Sequence, residues 1–82
     1  GDVEALHSRT FDLILANINR NVLLADMRAF VESLHSGGVI LFSGLYEEDF
    51  EMLNDKAMSL GLKFVSKNTR NRWLLARYVK NE

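Results

Sequence analysis

The chain contains no cysteine, so neither a disulfide framework nor a thiolate metal site can be built from it, and the composition fits a reducing compartment. Its two histidines, His7 and His35, are far apart and have no acidic or histidine neighbours at ligand spacing, so no metal site is expected. No apolar run approaches the roughly 20 residues of a membrane span. The opening GDVEALHSRT lacks the charged and apolar regions of a signal peptide. A net charge of −1 supplies no global attraction to nucleic acid or to an anionic membrane. No G-x-G-x-x-G segment, phosphate loop or nucleophile elbow is present, which removes the signatures of nucleotide binding and serine hydrolysis. The expectation is a soluble, cytoplasmic chain with neither membrane nor nucleic acid as its partner.

What is there is an ordinary globular composition. The 82 residues are 48% hydrophobic and 26% charged, which excludes a disordered or collagen-like chain. The length suits one small domain or a piece of a larger one. There is no internal repeat, low-complexity segment or linker.

Phe11 to Ala16 is a short, nearly continuous apolar run, the pattern of a strand covered on both faces, as in parallel sheets. Leu23, Met27, Phe30, Val31 and Leu34 follow at one face of a helix. Asn19 is placed to cap that helix and Gly37 to end it. Val39 to Phe42 is a second strand that stops at Ser43-Gly44. Tyr46, Phe50, Leu53, Ala57 and Leu60 then repeat at helical spacing up to Gly61. The last third alternates loosely from Leu62 to Lys67, passes the polar NTRNR and closes with a strand from Trp73 to Val79, an antiparallel hairpin. The order is β-α-β-α-β-β, an α/β fold with parallel strands, right-handed crossovers and an antiparallel last strand.

Three blocks in this order, FDLILANINRNVL, SGGVILFSGLYEED and the closing WLLARY, resemble the ribosomal protein L11 methyltransferase family, a class I S-adenosylmethionine-dependent methyltransferase family. The resemblance covers roughly residues 2 to 80 and implies the C-terminal half of a Rossmann-like sheet in which the last strand slips between the two preceding ones. The family's glycine-rich turn and its ribose-binding acidic residue have no counterpart here. Residues 1–82 are therefore expected to be a partial catalytic domain that by itself binds S-adenosylmethionine weakly or not at all. Asp2 would lie in a loop before the fourth strand of the parent fold, a plausible place for a cut.

Ligands of open α/β sheets bind beyond the carboxyl ends of the strands, which singles out Asn17. Its amide is both donor and acceptor, and the resemblance gives it a cofactor contact and a catalytic role beside the transferred methyl group. Satisfying loop backbone or capping the helix is the plainer alternative. Ile18, Asn19, Ser43, Gly44 and Tyr46 would share that rim on the substrate side. Asn19 is equally a helix cap, Ile18 can simply pack, and Tyr46 has the register of a core residue. Trp73 is read most simply as a core or sheet-packing residue. The acidic Glu47-Glu48-Asp49 run, with Glu51, could attract a lysine-rich substrate or complement a helix N-terminus. Lys63, Lys67, Arg70, Arg72, Arg77 and Lys80 make the hairpin basic, which fits a solvated surface or ribosomal RNA.

The activity the resemblance implies is methylation of amino groups, lysine side chains or an N-terminal amine, of a ribosomal protein. Two alternatives are a related methyltransferase for another protein or a small amine, and a non-catalytic α/β interaction module. Without the missing strands, Phe11 to Ala16 becomes an apolar edge open to self-association.

Overall fold

The computed structural model describes residues 11–81. Asp2, expected in a loop, and His7, expected to bind no metal, lie outside the described residues. Among the described residues four strands and two helices follow in the expected order: β1 (Phe11–Asn17), α1 (Arg20–Glu32), β2 (Leu34–Tyr46), a 3-10 turn (Glu47–Asp49), α2 (Phe50–Ser59), β3 (Leu62–Arg70) and β4 (Trp73–Lys80). One mixed sheet has the order β1-β2-β4-β3. β1 and β2 are parallel, and β4 lies antiparallel to both β2 and β3. The last strand thus sits between the two before it, as the resemblance implied.

Alternation along β1 turns Ile14 and Ala16 inward and leaves Leu13 and Leu15 on the opposite face. Leu23, Met27 and Val31 of α1 and Leu53 and Ala57 of α2 close over the inward face, joining Ile40, Phe42, Leu45, Leu62, Leu74, Ala76 and Tyr78 in one core. Tyr78 is fully buried and meets the rings of Phe42 and Phe64 edge-on at 5.8 and 5.7 Å. Its hydroxyl donates to Asn54 Oδ1 at 2.7 Å, so the polar end of the side chain is satisfied.

Three boundaries differ from the sequence expectation, each because a tertiary contact intervenes. α1 stops at Glu32, not at Gly37. The Ser33 hydroxyl donates to Ala29 O (2.9 Å), and Phe11 N donates to Ser33 O (2.8 Å), drawing the chain into the sheet. Leu34, the last residue of the helical stripe, becomes the first of β2 and is buried there all the same. β2 then continues past Phe42 to Tyr46, because a register shift against β4 between Phe42 and Leu45 absorbs Ser43 and Gly44 within the strand. Finally, most of NTRNR is strand. Only Asn71 and Arg72 turn, with φ of 51° and 72°, both positive as in the two-residue hairpins whose twist matches that of the strands.

Candidate functional site at the carboxyl rim of the parallel strands

Asn17 is the last residue of β1 and pairs in register with Ser43 of β2. Beyond this pair the chains stay joined, since Ile18 N donates to Ser43 O at 2.8 Å. Gly44 follows with φ +91°. A Cβ at Gly44 would overlap Asn17 Oδ1 and lie 2.5 Å from the Ile18 carbonyl oxygen. The Asn17 carboxamide therefore lies directly against the Gly44 backbone, while the residue as a whole remains exposed.

Its two neighbours are occupied differently. Ile18 is buried in the core, which fits the packing alternative. Asn19 Oδ1 accepts from Val22 N at 2.9 Å, so Asn19 caps α1. The two amides of Asn-Ile-Asn thus diverge, one to the helix and one to the rim.

Tyr46 ends β2 in line with Trp73 and stacks on it, ring centroids 4.6 Å apart at 27°. Neither ring is core. Both are about half exposed, because the extra strand residues of β2 carry Tyr46 out of the helical register that its spacing suggested. Arg72 stands 5.7 Å from the Tyr46 ring and contacts both carboxylate oxygens of Glu48, at 2.9 and 2.7 Å. That hydrogen-bonded carboxylate raises the guanidinium above its already high range. An open groove of about 380 Å³ runs beside Ser43 and Gly44 toward Arg70, Trp73 and Leu75.

Asp49 belonged in the sequence to an acidic run, yet it is buried. Its carboxylate accepts from Tyr46 N (3.1 Å) and faces Arg20 Nε (3.5 Å), so it ties the loop after β1 to the loop after β2. Sequence reasoning missed this Arg20–Asp49 link. Its only trace was an acid placed three residues after the strand end, where it can reach back to a backbone amide. Part of the charged clusters likewise goes into structural contacts. Lys67 Nζ lies 4.0 Å from the Phe50 ring centroid, and Lys80 Nζ donates to Val31 O and Leu34 O, both at 2.8 Å. Half of the six basic hairpin residues are thus tied within the fold, which weakens a continuous RNA-binding surface. Among the described residues no three His, Cys, Asp or Glu side chains converge as a metal site requires. No helix there is long and apolar enough to cross a membrane.

Comparison with known proteins decides the family. Residues 2–81 match the family model described as "Ribosomal protein L11 methyltransferase (PrmA)". The chain belongs to this family. Among curated family members, the ribosomal protein L11 methyltransferase of Phocaeicola vulgatus is 41% identical over 80 residues, covering 96% of this chain and 28% of that protein. The Porphyromonas gingivalis protein of the same name is 48% identical over 69 residues, covering 84% and 24%. The chain therefore spans about a quarter of the length of these relatives. A crystal structure of the ribosomal protein L11 methylase from Lactobacillus delbrueckii subsp. bulgaricus superposes with a TM-score of 0.80 at 23% identity, over 89% of this chain and 38% of that one. The M1.HpyAVI–SAM complex gives 0.76 at 11% identity, over 98% and 49%. At those identities the structures support the fold: a partial Rossmann-like methyltransferase sheet.

Proposed function

We propose that residues 1–82 are part of the catalytic domain of an S-adenosylmethionine-dependent protein methyltransferase, lacking its glycine-rich cofactor-binding half, and that the whole enzyme methylates amino groups of ribosomal protein L11 in the cytoplasm. The observation that carries this reading is Asn17: an exposed carboxamide at the carboxyl end of a parallel strand, where open α/β sheets bind their ligands, in a chain that matches the family over almost its whole length.

The residues present fit such a ligand. Asn17 offers donor and acceptor atoms at the rim, Ser43 and Gly44 leave room for close approach, and Tyr46 adds an aromatic wall. S-adenosylmethionine, when bound, supplies a methyl group activated by a positively charged sulfur. The chain's own contribution is orientation. Asn17 Oδ1 accepts an N–H from the substrate amine and so directs its lone pair. A lysine of pKa ~10.4 is about 3.4 units from neutral at pH 7, a cost of roughly 4.6 kcal/mol, whereas an α-amine near ~7.8 costs about 1 kcal/mol. No strong base stands in the described rim, so desolvation and orientation carry the deprotonated amine.

The test is calorimetric titration of S-adenosylmethionine into the 82-residue chain and into a protein of family length, with methyl transfer to ribosomal protein L11 followed in the latter. The longer protein is expected to bind and the short chain to bind weakly or not at all. Asn17→Ala is expected to lower kcat on the order of a hundredfold. Unchanged turnover in Asn17→Ala would overturn the role of this residue, and methylation of unrelated amines in preference to L11 would replace the substrate.

A second reading concerns the short chain alone. Leu13 and Leu15 are 54% and 72% exposed on the edge strand β1, so self-association through Phe11 to Ala16 is proposed for the isolated 82 residues.

A further inference from the structure

Among the described residues three glycines have positive φ: Gly37 at 80°, Gly44 at 91° and Gly61 at 89°. A Cβ at Gly37 or Gly61 would meet nothing within 4 Å, whereas at Gly44 it would run into the Asn17 side chain and the Ile18 backbone. Backbone conformation alone explains the first two. At Gly44 there is a second requirement, imposed from across the sheet.

Both contacts would have to be relieved, and they differ in how readily they yield. The Ile18 carbonyl belongs to a backbone held by the Ile18 N to Ser43 O bond (2.8 Å), and its side chain is buried in the core. Asn17 is an exposed residue whose side-chain torsions can turn, and its carboxamide rests on the Gly44 backbone. A methyl group at position 44 would turn the Asn17 carboxamide away, and its 2.5 Å approach to the Ile18 carbonyl would press on the rim backbone besides. The sheet directs the contact as well. Against β4 the register slips between Phe42 and Leu45, but against β1 it runs unbroken from Leu13–Val39 to Asn17–Ser43. The irregularity is taken up on the β4 side, and Gly44 arrives beside Asn17.

We infer that Gly44 is a positioning residue: the bare backbone of the bulge is the seat of the Asn17 carboxamide and fixes the direction in which it meets the substrate amine. This rests on the reading of Asn17 as the amide that faces the reacting group, and it adds the element that holds that amide in place.

The experiment compares Gly44→Ala with Gly61→Ala in a protein of family length, since both variants bear the same positive-φ penalty and only the first reaches the rim, where it meets Asn17 and the Ile18 backbone. Melting temperature, kcat and KM for ribosomal protein L11 are measured, together with Asn17→Ala and the Asn17→Ala/Gly44→Ala double variant. Expected are a larger loss of melting temperature for Gly44→Ala than for Gly61→Ala, a fall in kcat on the order of a hundredfold for Gly44→Ala alone with KM within about threefold, and a double variant no slower than Asn17→Ala. Equal kcat for the two glycine variants, or a double variant slower than Asn17→Ala, would overturn the inference while leaving Asn17 in its role. A silent Asn17→Ala would remove the reading beneath it. If Gly44→Ala does not fold, the unmodified protein decides: magnetisation transfer between Gly44 Hα and the Asn17 side chain supports the seat, and its absence removes it.

Discussion

Asn17 and Asn19 have the same side chain two positions apart and face different physics. The cap at Asn19 satisfies a backbone donor that every helix leaves open, so its use follows from local sequence. The position of the Asn17 amide depends on Gly44, far along the chain, so no local pattern displays it. Tyr78 gives the residue scale its pH dependence. Burial pushes its phenol up to about 12 from an ordinary value of 10.0, because the charged form is desolvated. The folded state therefore holds its proton where the unfolded chain has lost it. The stabilising contribution is complete below pH ~10 and declines as the pH rises through about 12. In a protein of family length, denaturation midpoints of Tyr78→Phe are expected to fall less steeply between about pH 10 and 12 than those of the parent. Near neutrality the variant should lose only about 1 kcal/mol with its hydrogen bond to Asn54.

At the scale of elements, periodicity located both helices and all four strands, and the misplaced boundaries share one cause. Where helix meets sheet at Ser33 and where β2 outruns Phe42, hydrogen bonds to a non-local strand outweigh local stop signals. The C-terminus of α1 is closed in the same way. Lys80 reaches from the last strand to the carbonyls of Val31 and Leu34, a cap that neither helix composition nor spacing announces. Lys80→Met keeps much of the aliphatic stem but leaves those carbonyls without their ammonium partner. It is expected to cost about 2 kcal/mol of stability in chemical denaturation. Lys67→Met, which removes only an exposed cation above the Phe50 ring, should cost about 0.5–1 kcal/mol.

At the scale of the molecule, the described residues cover the sheet on one face only. Leu13, Leu15 and Leu75 and the Tyr46–Trp73 pair lie exposed on the other. Parallel strands are ordinarily buried on both faces, and the relatives are more than three times as long as this chain's match to them. We propose that the remaining length of a whole family member covers this face and pairs with β1. Leu15→Lys separates the two contexts by sign. In the isolated 82 residues it should lower the mass seen by light scattering at high concentration, because a charge on an apolar edge opposes pairing. In a protein of family length the same lysine would enter a packed interior and cost roughly 3 kcal/mol. A strictly monomeric parent chain at high concentration would remove the first expectation. A harmless substitution in the long protein would remove the second.

Sequence by itself determined the elements, because 3.6- and 2-residue alternation of apolar side chains is a local property that burial enforces. It also marked the family, through three short blocks, and pointed to Asn17 by its place at a strand end. The insertion of β4 between β2 and β3 came into view through the resemblance and not through any spacing, since hairpin formation alone is compatible with β4 at the outer edge. Only the tertiary structure decided that Gly44 lies under Asn17, that Asp49 is a buried link to Arg20 and that Tyr46 stacks on Trp73 outside the core. Each of these joins residues distant in sequence through strand register, and register is settled by the packing of the whole sheet.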